Sequence, residues 1–119
     1  MNSSFRPLKI RERELLEKLL EPEFPGRDEL RRQLDSVTAK EILEDGTCAL
    51  QCRPCLPAPV KRSMPTEGEC PDADGVTIHV LLHVKDGFMS ELEILKFGSS
   101  KILNPPTARG LVVCPPCDS

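Results

Sequence analysis

The sequence predicts an α+β fold in which two N-terminal helices pack on one face of a mostly antiparallel β-sheet of about five strands. Three observations lead to this prediction: leucines at helical spacing near the N-terminus, strand-like alternation in the later part of the chain, and an Asp86-Gly87 turn between two long apolar runs. The 119 residues are the size of one domain. We expect a single domain over 1–119, with 1–7 as an N-terminal arm and 114–119 as a C-terminal tail.

Two helices are predicted in the first third of the chain. Leucine pairs separated by charged residues share one face of the segment 11–20, and Pro22 ends that helix. A shorter helix over 27–34 begins with two acidic residues, which suits the positive end of the helix dipole. The leucines expected to face the sheet are Leu15, Leu16, Leu19, Leu20, Leu30 and Leu34.

Strand candidates occupy most of the remaining chain. Asp45-Gly46 is typical of a hairpin turn, and prolines restrict the segment 58–64 to the edge of a sheet. The acidic segment 65–75 is expected to be a loop. The strand candidates are 37–43, 47–52, 58–64, 76–84, 88–97, 101–103 and 111–113.

The hairpin that turns at Asp86-Gly87 is expected to define the two faces of the sheet. A three-residue loop with Gly87 in the left-handed conformation would pair Val84 with Phe88. Apolar residues then oppose each other, whereas a regular two-residue loop would set apolar residues against glutamates. The predicted apolar face comprises Val76, Ile78, Val80, Leu82, Val84, Phe88, Leu92 and Ile94. The predicted second face carries His79, His83, Glu91 and Glu93.

Composition and charge exclude several classes of function. The net charge is −3, and Lys and Arg are spread along the chain, so the clustered basic footprint of a nucleic-acid-binding protein is missing. The absence of Trp and Tyr removes most of the rings on which single strands stack. No run reaches the roughly 18 apolar residues of a membrane span, and the N-terminus lacks an apolar signal region. We therefore expect a cytoplasmic protein with neither nucleic acid nor membrane as a partner.

Two CxxC pairs account for four of the six cysteines and leave three states open. Four thiolates could hold a tetrahedral zinc ion, although the pairs lie further apart in sequence than in usual zinc ribbons. A disulfide is the second state. Reduced, unligated thiols are favoured, because the cytoplasm keeps thiols reduced and a free cysteine packs as a small apolar residue. The candidate zinc ligands are Cys52, Cys55, Cys114 and Cys117, and no other cofactor is expected.

No catalytic set is recognisable in the sequence. His79 and His83 would share one face of a strand but lie about 13 Å apart, too far to bind one ion. The predicted register sets His79 opposite Glu93, as a cross-strand contact. The segment 72–75 fails as a calcium loop, because Leu81 stands where a bidentate glutamate is required. Nucleotide-binding, nucleophile-elbow and HExxH motifs are missing as well, so we predict that the protein is not an enzyme.

Acidic residues and histidines form the candidate surface for a protein partner. They come from the predicted acidic loop and from the second face of the hairpin, which would lie side by side. The candidate partner-binding residues are Glu67, Glu69, Asp72, Asp74, His79, His83, Glu91 and Glu93.

Short segments of the chain match a family pattern. Among them are Phe24-Pro25-Gly26, Leu81-Leu82-His83-Val84 and Glu91-Leu92-Glu93-Ile94. On these segments the chain resembles an uncharacterised family of small bacterial proteins over most of 6–104. The resemblance implies an association with immunity proteins of polymorphic toxin systems. It implies no known activity, cofactor or catalytic residue, and the CxxC pairs are not part of it.

Three functions follow as hypotheses. The first is a non-enzymatic binding protein, most concretely an immunity-type inhibitor, because an acidic protein is steered onto a basic toxin. The second is a zinc-stabilised module that uses the two CxxC pairs. The third is a small enzyme with a site around His79, His83 and Glu93. Whether the protein is a monomer or a homodimer stays open.

Overall fold

Seven antiparallel strands form one sheet in a computed structural model that describes residues 5–98 and 101–114. The elements in chain order are β1 (Arg6–Pro7), α1 (Ile10–Leu19), α2 (Arg27–Gln33), β2 (Val37–Glu41), β3 (Cys48–Cys52), β4 (Thr66–Pro71), β5 (Thr77–Lys85), β6 (Phe88–Lys96), a 3-10 turn (Ala108–Gly110) and β7 (Val112–Val113). The strand order is β1-β2-β3-β6-β5-β4-β7. The predicted fold with about five strands is therefore wrong.

The strand candidates also differ from the observed strands in position, because two strands were not predicted and two candidates formed no strand. The predicted N-terminal arm contains β1, in which Arg6 pairs with Ala39 at the edge of the sheet. The predicted loop 65–75 contains β4, which pairs with β5 over six residues. Conversely, the candidates 58–64 and 101–103 form no strand in the described chain.

Strand β4 was missed because its buried positions carry small or polar residues. Thr66 and Cys70 are buried, as a strand facing the core requires, but Gly68 stands between them. The side chain of Leu111 fills the space above this glycine: a Cβ atom at Gly68 would lie 2.8 Å from Leu111 Cγ. The apolar contribution at this point of the core thus comes from a residue more than 40 positions later in the chain.

The hairpin of β5 and β6 has a different register from the predicted one. Asp86 and Gly87 both have positive φ angles, 55° and 87°, and form a two-residue turn. Beyond the turn, the strands pair regularly up to Val84 opposite Met89. Ser90 is then an extra residue that forms a bulge in β6. This bulge restores apolar pairing, with Leu82 opposite Leu92 and Val80 opposite Ile94.

The two helices lie within one residue of their predicted bounds, and both contribute buried leucines to the core. The six predicted leucines are all buried. Gln33, at the end of α2, adds a buried polar link: its Nε2 donates to the carbonyls of Leu56 and Gly87, and its Oε1 accepts from Met89 N. This amide holds α2, the segment after β3 and the hairpin turn together, since it satisfies three backbone groups at once.

Candidate functional site: an acidic face of the sheet

The sheet surface opposite the helices carries most of the predicted partner-binding residues. Along β4, β5 and β6, side chains alternate between the core and this second surface. We call this surface the acidic face. It comprises Glu67, Glu69, His79, Leu81, His83, Glu91, Glu93 and Leu95.

The centre of the acidic face is an apolar residue between carboxylates. Leu81 is opposite Glu67 on one neighbouring strand and opposite Glu93 on the other, and it is only 9% exposed. The glutamates and histidines around it remain partly exposed. The face therefore combines a shallow apolar centre with a surround that carries four negative charges when the histidines are neutral.

His83 is the point at which two carboxylates of β6 converge. It is directly opposite Glu91, because the bulge at Ser90 shifts β6 by one residue. His83 Nε2 also lies 2.7 Å from Glu93 Oε1, a diagonal hydrogen bond across the hairpin. One ligand atom from each of His83, Glu91 and Glu93 can be chosen so that all three lie within 4.8 Å of one another.

His79 forms a separate pair and does not join His83. It is opposite Leu95 and not Glu93, so the predicted His79–Glu93 contact is wrong. Its Nδ1 lies 3.8 Å from Glu69 Oε2, and its ring packs edge-on against Phe97 with 5.4 Å between ring centroids. The structure thus divides the predicted His79, His83 and Glu93 group into two pairs.

Asp72 and Asp74 belong to a structural anchor at the end of the sheet. The Asp72 side chain has no exposed surface, and Lys96 Nζ lies 2.8 Å from its Oδ2 and 2.9 Å from Asp74 Oδ2. Asp72 also accepts hydrogen bonds from the backbone N–H groups of Leu103 and Asn104. The predicted role of Asp72 in partner binding therefore conflicts with its burial, which the acidic sequence around it did not indicate.

The anchor also shifts the pKa values of its members. Burial opposes ionisation of Asp72, but hydrogen bonds from Lys96 and three backbone N–H groups outweigh it and hold the pKa of Asp72 well below its usual 3.8. Hydrogen bonds from Lys96 and the backbone lower the pKa of Asp74. Burial alone would lower the pKa of Lys96, yet the two carboxylates raise it above 10.5. All three groups are therefore charged at neutral pH.

The three candidate zinc ligands in the described chain, Cys52, Cys55 and Cys114, do not lie together. Cys52 and Cys55 are joined by a disulfide, so the favoured prediction of reduced thiols is wrong for this pair. Cys114 lies beside β4, and because β6, β5 and β4 separate it from β3, it is about four strand spacings, roughly 19 Å, from Cys52. Cys117 lies outside the described residues.

The other two cysteines, Cys48 and Cys70, are buried free thiols. Burial raises the pKa of Cys48 to about 12 and also raises the pKa of Cys70. Both thiols are therefore protonated at neutral pH and act as small core residues, as predicted for reduced cysteine.

Two cavities of the described surface lie away from the acidic face. One of about 540 Å³ lies between the Cys52–Cys55 loop and the hairpin, beside Met89. The other, of about 450 Å³, is lined by residues of both charge signs, including Glu41 and Lys101. Neither is lined by a histidine, so neither turns the acidic face into an enclosed site.

No helix in the described ranges is long and apolar enough to cross a membrane.

A family model, described as a domain of unknown function (DUF6984), matches residues 5–106. The chain belongs to the DUF6984 family. This confirms the resemblance to an uncharacterised domain family. The matched range includes β1 to β6 and the whole acidic face, and it ends before β7 and Cys114. No curated protein and no solved structure matches the chain.

Proposed function

We propose that this protein is a non-enzymatic binding protein whose acidic face receives a basic surface of a protein partner. The observation that carries the proposal is the convergence of Glu67, Glu69, Glu91 and Glu93 on one solvent-facing side of the sheet. Two of these glutamates lie on β4 and two on β6, on either side of β5, and they concentrate negative charge that an opposite charge would neutralise. A basic partner would do so, and the field of the face would speed its approach.

Apolar side chains at the border of the acidic face supply contact area for such a partner. Phe97 is 65% exposed and lies over His79, and Val112 is 62% exposed opposite Glu69. Protein interfaces typically combine apolar contact area with polar and charged groups. The acidic face therefore has both components of a small interface.

The most concrete form of the proposal is an immunity-type inhibitor of a bacterial toxin. Many toxins that act on nucleic acid are basic, and an acidic inhibitor would be attracted to the surface with which they bind their substrate. In this proposal the protein works in the bacterial cytoplasm, and its partner is a protein and neither nucleic acid nor membrane. An enzymatic role has less support, because His79 and His83 lie in separate pairs on an open surface.

Binding to the product of the adjacent gene tests the proposal. Association and dissociation rates would be measured at several salt concentrations for the wild type and for a Glu67→Lys/Glu69→Lys variant. The expected result is an association at least about tenfold slower for the variant, and a wild-type rate that falls with salt.

The matched control is Glu14→Lys/Glu23→Lys. It changes the net charge equally but lies on α1 and the turn after it, and both residues are exposed. Its association rate should stay within about twofold of wild type, apart from long-range steering. Equal slowing by both variants, or no binding by the wild type, would contradict the proposal.

A further inference from the structure

We propose that His83, Glu91 and Glu93 form a binding site for a divalent transition-metal ion of the zinc class. One imidazole nitrogen and two carboxylate oxygens within 4.8 Å of one another form the donor set. The site does not depend on the proposed protein partner, since it uses only side chains of this chain. It also differs from the four-cysteine site that the sequence suggested.

The spacing of the donor atoms suits a small ion. For three atoms no more than 4.8 Å apart, some point lies within about 2.8 Å of each of them. Zinc ligands of this type lie roughly 2.0–2.2 Å from the ion, so each donor atom has to move by less than about 1 Å toward the ion to complete the coordination. Side-chain rotation can supply it, because all three residues are partly exposed. Water would occupy the remaining position, as in other zinc sites with three protein ligands.

The charge of the three donor side chains also favours binding of a divalent ion. The Glu91 carboxylate makes no hydrogen bond or ion pair with any residue in the described ranges, and within those ranges the Glu93 carboxylate is hydrogen-bonded to His83. Two carboxylates thus stand close together without a Lys or Arg partner among the described residues. With a neutral imidazole the donor set carries a charge of −2, which a divalent ion balances.

The backbone holds this arrangement in place. His83 lies on a central strand, and the bulge at Ser90 sets Glu91 opposite it. Ser90 Oγ donates to the His83 carbonyl, which ties the bulge to the strand that carries the imidazole. Bulges commonly redirect side chains at functional sites, and sites on strands are more rigid than sites on loops.

Isothermal titration of the full chain with ZnCl₂ tests the site, with CoCl₂ absorption as a second readout. We expect one zinc ion per chain. Since loss of a residue that merely supports a metal ligand weakens binding about 10–100-fold, His83→Ala or Glu91→Gln should weaken it at least about tenfold. The cobalt complex should show no intense thiolate charge-transfer band.

The matched control is His79→Ala, four residues earlier on the same strand and face. Its zinc affinity should equal that of the wild type. Absence of stoichiometric binding, equal affinity in Glu91→Gln, equal loss in His79→Ala, or a thiolate band in the cobalt spectrum would each overturn the proposal. Thermal melts of the variants would separate loss of the site from loss of the fold. None of these results requires a protein partner, so the outcome is independent of the binding test above.

Discussion

Asp72 shows how one buried carboxylate organises the end of the sheet. It binds Lys96 from β6 and two backbone N–H groups from the segment after it. A carboxylate can accept several hydrogen bonds, and here they join the end of β4 to the end of β6 and to the segment 103–104. Sequence reasoning placed Asp72 in an exposed acidic loop, because composition does not show which of several neighbouring acidic residues turns inward.

Substitution of Asp72 should alter the pH dependence of stability. Its folded-state pKa is lowered relative to the unfolded chain, so ionised Asp72 contributes stability that is fully present above about pH 4 and is lost as the pH falls through the folded-state pKa. Asp72→Asn should therefore have a lower Tm than wild type above about pH 5, and the gap should narrow toward about pH 2. Thermal melts monitored by circular dichroism between these values measure the gap.

Asp86→Asn is the matched control for this experiment. Asp86 is exposed in a turn and adopts a left-handed conformation that asparagine also tolerates. Its melting curves should follow the wild type throughout. A constant Tm gap for Asp72→Asn at all pH values would show that the anchor does not depend on the charge of Asp72.

At the scale of elements, the hairpin turn reverses the chain and also accepts hydrogen bonds from two other segments. Gly87 has φ of 87°, and its carbonyl accepts hydrogen bonds from Ala58 N and from the Gln33 amide. A Cβ atom at this position would lie 2.6 Å from Pro57 Cβ. Glycine is therefore needed here for two reasons, the left-handed backbone and the close approach of the segment before β4.

Gly87→Ala should destabilise the protein more than an equivalent change at an open turn. Gly75 also has a positive φ, 83°, but a Cβ atom there would meet nothing within 4 Å. Gly75→Ala should cost about 1–2 kcal/mol for the left-handed backbone alone. Gly87→Ala should cost at least about 1 kcal/mol more, because the clash adds to it. Urea denaturation measures both, and equal losses would refute the close approach.

The bulge in β6 shows which feature of the hairpin could not be predicted from the sequence. The position of the turn followed from the Asp86-Gly87 sequence, and the apolar runs on both sides indicated the strands. The register did not follow, since a three-residue loop and a two-residue loop with a bulge both bring apolar residues together. Only the backbone shows that Ser90 is the extra residue, and this decides that His83 faces Glu91.

At the scale of the whole molecule, the chain after β6 returns to cover the edge of the sheet. Leu111 is 3% exposed and packs on Gly68, and β7 pairs with β4 immediately after it. Leu111 thereby supplies an apolar side chain at the position where β4 has a glycine. The return of the chain also leaves Val112 on the outer surface beside the acidic face.

Leu111→Ala should therefore remove core packing, whereas Val112→Ala should not. Large-to-small substitution of a buried leucine costs about 2–5 kcal/mol, and a surface substitution usually changes stability by about 0.5 kcal/mol or less. The free energy of unfolding in urea measures the two adjacent positions under one condition. Similar losses at both would show that the segment is held by backbone pairing and not by the Leu111 side chain.

The sequence by itself determined the two helices, the position of the central hairpin and the membership of His83, Glu91 and Glu93 in one face. These features depend on local periodicity and turn chemistry, which short segments carry. The tertiary structure decided the number of strands, the hairpin register, the burial of Asp72 and the separation of Cys114 from the Cys52–Cys55 pair. Apart from the register, which the bulge at Ser90 sets, these features depend on contacts between residues distant in sequence, such as Leu111 on Gly68, which local patterns do not contain.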